Sequence, residues 1–136
     1  MVMKKTHIFD ARKSVVYRKS LIFKKEIYKL VKGLPAYEAG NMFDQLIRCS
    51  TSVVANLREG MENIFYGKEF DRLNTSLGSI AECRAFLDMA VMEEGYLSKE
   101  KYGRLDKDAE TIYRLILERL FEIDRILSGT QEESVS

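Results

Sequence analysis

The chain has little of several residue types, and each shortage narrows its structural class. Its 136 residues include no tryptophan, one proline and one histidine. Proline interrupts the interior of an α-helix, so a single proline leaves room for long helices. No apolar run approaches the roughly 20 residues of a membrane-spanning helix, and the charged start MVMKKTHIFD lacks the apolar stretch of a signal peptide. We therefore expect one cytoplasmic domain with no role at a membrane.

Cysteine is also scarce. Cys49 and Cys83 lie 34 residues apart in the chain. In a reducing compartment we expect both to be free, buried thiols that behave as small apolar side chains. A disulfide and a metal-binding pair stay open as the less favoured alternatives.

Apolar residues, which make up 46% of the chain, recur with the helical period along four stretches. We predict helices over 11–32, 38–62, 68–94 and 99–128, with stops at Gly33 and Pro35, Gly95 and Gly129. Ser98 is the expected N-cap of the last helix. Short loops between helices of this length predict an all-α, antiparallel up-down-up-down four-helix bundle over 11–128. Residues 1–10 are predicted to be an N-terminal arm, and 129–136 a disordered tail.

Two helices carry more apolar or small surface than one bundle core needs. The second is apolar over a broad arc, and the third has a second face with Gly78, Ala81 and Ala85. A monomer could bury these faces. We favour a homo-oligomer that buries the surplus.

Charge is divided unevenly along the chain. Residues 1–32 hold ten Lys/Arg against two acidic residues, a net of +8, and the remainder has a net of −7. Successive helical residues are rotated by about 100°, which places four cations opposite the apolar stripe of the first helix. These are Arg18, Lys25, Lys29 and Lys32.

Three interpretations of this basic strip are open. It could be an ordinary solvated face, a strip that binds nucleic-acid phosphates through counterion release, or a docking site for an acidic protein. Binding to a membrane surface is less favoured, because the same helix carries a conventional core stripe.

Catalytic patterns are weak. The single histidine, His7, lies in the arm, so the paired Glu-x-x-His motifs of two-metal bundles are missing. Glu59 and Glu82 could face the interior, but pairing with an arginine such as Arg48 or Arg84 is more usual. Helical serines and threonines most often bond to backbone carbonyls. We expect no enzyme, no metal, no cofactor and no small-molecule substrate.

The centre of the chain resembles a bacterial family. The stretch 48–60, RCSTSVVANLREG, is similar to an R-x-x-x-S-x-x-x-N-x-x-E-G helix. It is followed by Lys68-Glu69-Phe70, Leu73 and the stretch 76–82, SLGSIAE, similar to K-E-F…L…A-x-G-S-x-x-E. This pattern is that of the four-helix-bundle proteins encoded in 23S rRNA intervening sequences. They are related to the accessory variability determinant (Avd) proteins of diversity-generating retroelements. The chain departs from the pattern at Ser76 and at Leu57-Arg58.

The resemblance implies a fold, an assembly and a function. Its members are similar in forming ring-like homopentamers, and Avd proteins engage nucleic acid and a reverse transcriptase through a basic surface. The resemblance implies no catalytic residue. The motif positions that match are interpreted as structural: Arg48, Asn56, Glu59, Gly60, Ser79 and Glu82.

Overall fold

A computed structural model describes the backbone of residues 2–135 and the side chains of 2–129. Four long α-helices make up the described chain, and no strand is present in it beyond one isolated bridge. Each helix packs against the next in the chain, and the first also packs against the fourth. The helices are α1 (Val15–Lys32), α2 (Asp44–Met61), α3 (Tyr66–Met92) and α4 (Lys99–Val135).

Serine caps begin two of these helices. The hydroxyl of Ser14 accepts a bond from the Tyr17 N–H at 3.4 Å, and that of Ser98 accepts one from the Lys101 N–H at 3.2 Å. The Ser98 cap was predicted. The Ser14 cap corrects the predicted start of α1, because residues 11–13 form a separate 3₁₀ turn that ends at Ser14.

The start of α2 also differs from the prediction. Ala36–Glu38 is a 3₁₀ turn and Ala39–Phe43 a π-helical turn, so regular α-helix begins only at Asp44. Glu38 accepts a bond from the Met42 N–H at 3.4 Å and so caps this wider turn. Gly40 and Asn41, both poor helix formers, lie within it.

Gly129 does not end α4, contrary to the prediction. The helix continues through it to Val135, so the predicted disordered tail is helical over 129–135, and Ser136 lies outside the described residues. A glycine ends a helix when it takes a left-handed conformation. Among the described residues only Gly95 does so, with φ of 81°, after the end of α3. Elsewhere a glycine can stay in a helix at a cost of about 1 kcal/mol.

The apolar stripes predicted from the helical period are confirmed on α1 and α4, whereas those of α2 and α3 are buried only in part. Those of α1 and α4 are buried along most of their length, with Val16, Tyr102 and Leu127 half-buried at their ends. Between them lie the inner faces of α2 and α3. The largest fully buried apolar side chains are Ile27, Leu46, Leu57, Leu73, Ile80, Leu87, Ile112, Ile116 and Ile123.

The N-terminal arm lies against the segment between α2 and α3. The Lys5 N–H donates to the Ile64 carbonyl at 2.8 Å, and the Tyr66 N–H donates to the Met3 carbonyl at 3.2 Å. These bonds place the arm across the turn between α2 and α3. Nothing in the spacing of residues 1–10 indicates this contact, because it depends on a turn about 60 residues further along the chain.

Both cysteines are free and buried, as predicted. Cys49 lies on α2 and Cys83 on α3, and their Sγ atoms are 2.8 Å apart. Their proximity could not be derived from a 34-residue separation. Within the described residues, no helix is both long enough and apolar enough to cross a membrane.

Candidate nucleic-acid interface

The four predicted cations lie on the outer surface of α1, and all are exposed. Lys29 Nζ is 3.1 Å from the Glu26 carboxylate, so part of its charge is neutralised within the helix. Arg18, Lys25 and Lys32 have no ion pair within residues 2–129. These three residues are therefore the available charges of the strip.

Apolar side chains border the strip on both sides. Leu21 and Tyr28 lie along one edge and Ile22 along the other, and Ile22 is 62% exposed. The Lys24 ammonium lies 3.8 Å from the centroid of the Tyr28 ring, a cation–π contact. Leu21, Ile22 and Tyr28 all lie off the core, which is consistent with a rotation of about 100° per helical residue. A cationic row with an aromatic ring beside it can contact phosphates and stack on a base.

The accessible positive charge of residues 1–32 is smaller than their ten lysines and arginines suggest. Arg12 pairs with Asp10 at 3.2 Å in the arm. The Arg12 hydrogen bond lowers the pKa of Asp10, so this carboxylate stays charged and neutralises its neighbour. Lys5 is buried in an ion pair with Glu69. A count of charges along the chain cannot distinguish these paired cations from cations without an acidic partner.

Glu69 is the interior carboxylate, and the sequence prediction missed it. Its side chain is 2% exposed and accepts from Arg119 through Nε and Nη2 at 2.8 and 2.9 Å. Lys5 Nζ approaches the same carboxylate at 2.8 Å and also donates to the Gly60 and Met61 carbonyls. The bond to Glu69 raises the pKa of Arg119. We call this group the Glu69 cluster: Lys5, Glu69 and Arg119.

A sequence signal for Glu69 does exist. It lies four residues before Leu73 and seven before Ser76, on the same side of α3 as both. Both of those residues are fully buried. An acidic residue in register with a core stripe indicates a buried carboxylate, which then needs a cation.

The Glu69 cluster forms the polar side of a cavity between the arm, the start of α1 and α4. Its volume is about 580 Å³, and its other walls include Phe9, Val16 and Leu115. His7, the single histidine of the chain, also lines this cavity. Among residues 2–129 no group of three or more His, Cys, Asp or Glu side chains is arranged to hold a metal ion.

The less favoured possibility, that Glu59 and Glu82 face the interior, is wrong, and the more usual pairing with an arginine is found at Glu59. Both are exposed. Glu59 pairs with Arg72 at 3.5 Å on the surface. The two arginines suggested as their partners are engaged elsewhere: Arg48 pairs with Asp44, and Arg84 with Asp106.

Four other motif positions, Ser52, Asn56, Gly60 and Ser79, lie at or beside the contact between α2 and α3. Ser52 and Ser79 share a hydrogen bond of 2.8 Å across the two helices, and Asn56 donates to Ser52 at 2.9 and 3.2 Å. At Gly60, an added Cβ would lie 2.6 Å from a methyl carbon of Leu73. Glycine is therefore required here for the close approach of the helices rather than for an unusual backbone angle.

Four helical hydroxyls of α2 and α3 bond to backbone carbonyls, as predicted, whereas Ser52 and Ser79 bond to each other. Ser50 and Thr51 donate to carbonyls one turn back in α2, and Ser76 donates across to the Val53 carbonyl at 2.9 Å. Thr75 donates to the Asp71 carbonyl. These hydroxyls satisfy backbone acceptors.

The second face of α3 is exposed. Gly78, Ala81 and Ala85 all face outward, and Met89 and Met92 extend the same side toward the end of the helix. Met92 is 82% exposed. We call these five residues the α3 outer face. The chain alone does not bury them.

Comparison with known proteins agrees with the fold. Residues 12–118 match the family described as 23S rRNA-intervening sequence protein. A solved structure of a protein of unknown function from the S23 ribosomal protein family of Bacteroides thetaiotaomicron is similar, with 30% identity and a TM-score of 0.71. The similarity covers 78% of this chain and 98% of that one. None of the curated proteins compared with the chain matches it. The family match spans most of the chain and includes every motif position named above, and the chain therefore belongs to the 23S rRNA-intervening sequence protein family.

Proposed function

We propose that this protein is a non-enzymatic, homo-oligomeric helical bundle that binds RNA through the outer face of α1. The observation that carries the proposal is a row of exposed cations, Arg18, Lys25 and Lys32, that have no acidic partner within residues 2–129. Lys29 contributes to the row in competition with its pairing to Glu26. Such a row binds phosphates by releasing their counterions and does not distinguish base sequence.

The scaffold in this proposal is an antiparallel up-down-up-down bundle in the cytoplasm. Short connections between α2 and α3 and between α3 and α4, and packing between consecutive helices, support that arrangement. The family resemblance supports a homopentamer. A ring would repeat the basic row once per subunit and so increase the effective local concentration of cations along one RNA. An accessory role to a ribonucleoprotein or a reverse transcriptase, as in Avd proteins, is the wider proposal.

Charge reversal tests the RNA-binding face. The triple change Arg18→Glu, Lys25→Glu and Lys32→Glu is expected to weaken binding to labelled oligouridine by about 100-fold at low salt, because attraction to the phosphates becomes repulsion. In the unmodified protein, log affinity should fall with log salt at a slope of about −0.7 for each phosphate contacted. Fluorescence anisotropy across a salt titration measures both quantities.

The matched control changes another helix by the same charge. Lys99→Glu, Arg104→Glu and Lys107→Glu alter three exposed cations of α4. This control should retain most of the affinity if α1 is the binding face. Equal loss in the two triple variants would mean that only net charge matters, and unchanged binding in the α1 variant would overturn the assignment.

A second candidate function is a protein-binding scaffold with no nucleic-acid role. The apolar edges of the strip favour it, because Leu21, Ile22 and Tyr28 are exposed beside the cations. An acidic protein partner would use both the charges and these edges, whereas oligouridine depends mainly on the charges. The RNA interpretation is supported if the α1 triple variant loses RNA binding while the Leu21→Ser, Ile22→Ser double variant keeps it in full. A protein that never binds oligouridine supports the scaffold.

Self-association is tested at the α3 outer face. Ala85→Glu is expected to shift the protein from about five times the 15.8 kDa chain mass toward the monomer, because the charge would be desolvated at a subunit contact. The matched control is Ala55→Glu, an exposed alanine of α2. Size-exclusion chromatography with light scattering measures the mass. An oligomer that survives Ala85→Glu unchanged would contradict this location of the interface.

A further inference from the structure

The two cysteine sulfurs form a pair in the middle of the α2–α3 contact. Cys49 is 3% exposed and Cys83 is fully buried. Their Sγ atoms are 2.8 Å apart and share a thiol–thiol hydrogen bond. A disulfide bond is about 2.05 Å long, so the sulfurs need to approach by only about 0.8 Å to become bonded. No other cysteine is present in the chain.

The order of reaction follows from the surroundings of the two thiols. Its hydrogen bond to Cys49, together with burial, raises the pKa of Cys83 well above the usual range for a thiol. Cys83 therefore stays protonated. Of the two cysteines, only Cys49 keeps any solvent exposure, and its exposed fraction is 3%. Cys49 is the sulfur that an oxidant would reach first, with Cys83 already beside it.

The packing also selects the class of oxidant. Exchange with a bulky disulfide would require a mixed disulfide inside a core that has no room for it, since interiors are close-packed. A hydroperoxide adds only one oxygen atom to the attacked sulfur. Neither cysteine lines any of the four cavities described within residues 2–129, and both are buried, so access requires a transient separation of α2 from α3.

We propose that Cys49 and Cys83 are an oxidative modification site, at which hydrogen peroxide converts the two thiols into an intrachain disulfide that locks α2 to α3. Cys49 Sγ attacks one peroxide oxygen, the O–O bond breaks, and a sulfenic acid and water form. Cys83 Sγ then attacks Cys49 Sγ, and the S–O bond breaks. The departing hydroxide takes the Cys83 proton, so two thiols and one peroxide give one disulfide and two waters.

Peptide mass spectrometry tests bond formation. After treatment of the full-length protein with hydrogen peroxide and quenching, a tryptic digest without reductant should contain peptides 49–58 and 73–84 joined by a disulfide. Neither peptide contains methionine, so oxidation of exposed methionines does not affect this measurement. Sub-denaturing urea should speed the reaction, because it increases the open population. Sulfinic or sulfonic acid at both cysteines without the joined peptide would overturn the proposal.

Thermal unfolding tests the lock. Closing a loop of this length restricts the unfolded chain, and the melting temperature should rise by about 10 °C. Dithiothreitol should reverse this rise, whereas it does not reverse methionine oxidation. The Cys49→Ala, Cys83→Ala double variant, treated in the same way, should show no dithiothreitol-reversible rise. A joined peptide with no reversible rise in the peroxide-treated wild type would overturn the locking of the two helices.

Discussion

Replacing Glu69 by glutamine is expected to lower the free energy of unfolding by about 3–5 kcal/mol, the range found when a buried ion pair loses one partner. The substitution keeps the shape of the side chain but leaves Lys5 and Arg119 without their shared counter-charge. Lys5 suffers most, because its side chain is only 7% exposed. For a chain of this size the loss corresponds to a melting temperature lower by roughly 10–20 °C.

The same substitution should release the N-terminal arm. Lys5 is held against the turn between α2 and α3 by Glu69 and by two backbone carbonyls. In the wild type, the burial of Lys5 is expected to protect the peptide bond that follows it from trypsin. In Glu69→Gln that bond should be cleaved early, as followed by mass spectrometry during limited digestion, because the unpaired ammonium is more stable in water than in the cluster.

A surface pair provides the control for the Glu69 cluster. Glu59→Gln removes a carboxylate that is 59% exposed and pairs with Arg72 at 3.5 Å. Exposed pairs contribute little, so stability should change by less than about 1 kcal/mol. The cluster would not be what holds the arm if two results were found together. Glu69→Gln would lower the free energy of unfolding no more than Glu59→Gln, and the bond after Lys5 would stay resistant to trypsin.

Replacing Gly60 by alanine is expected to destabilise the protein by about 1–3 kcal/mol, the usual cost of overpacking a core. The added Cβ would lie 2.6 Å from Leu73 Cδ1, 3.1 Å from Arg72 Cβ and 3.2 Å from the Glu69 carbonyl oxygen. Leu73 is fully buried and has little freedom to move. Two of these three neighbours are fixed by the backbone of α3, so α2 and α3 would have to separate.

Replacing Gly103 by alanine should instead stabilise the protein. Gly103 lies in α4, and a Cβ added there would meet nothing within 4 Å. Alanine in an open helical position is more favourable than glycine by about 1 kcal/mol. Urea denaturation of both variants measures the contrast. A stabilising Gly60→Ala would show that the helices are not in the close contact described here.

The sequence pattern indicated a structural role for Gly60 but not for Glu69. Gly60 was recognised as a motif position with a structural role, since a glycine near the end of an apolar helix indicates a turn or close packing. Glu69 was noted only as the middle of a K-E-F match. The period of α3 could have placed it on the core face, but its partners could not be found in the same way. Lys5 and Arg119 lie far from it in the chain, 64 residues before it and 50 after it.

The predicted basic strip illustrates the same limit. Its position on α1 followed from the rotation of about 100° per residue, and all four cations are exposed. Whether each cation is free to bind a phosphate depends on the acidic side chains near it. Lys29 has Glu26 within reach on its own helix, an i,i+3 spacing that the sequence did contain. The neutralisation of Lys5, by contrast, required the arm to fold back over the α2–α3 turn.

The sequence by itself determined the four amphipathic helices, most of the residues that they bury, and the outward direction of the cations on α1. These follow from a local period, which operates over a few turns and needs no knowledge of the rest of the chain. The tertiary structure alone decided that the arm is held by Glu69, that the α3 outer face is left uncovered, and that Cys49 meets Cys83. Each of these depends on contacts through space between distant segments, and such contacts are set by how whole helices pack.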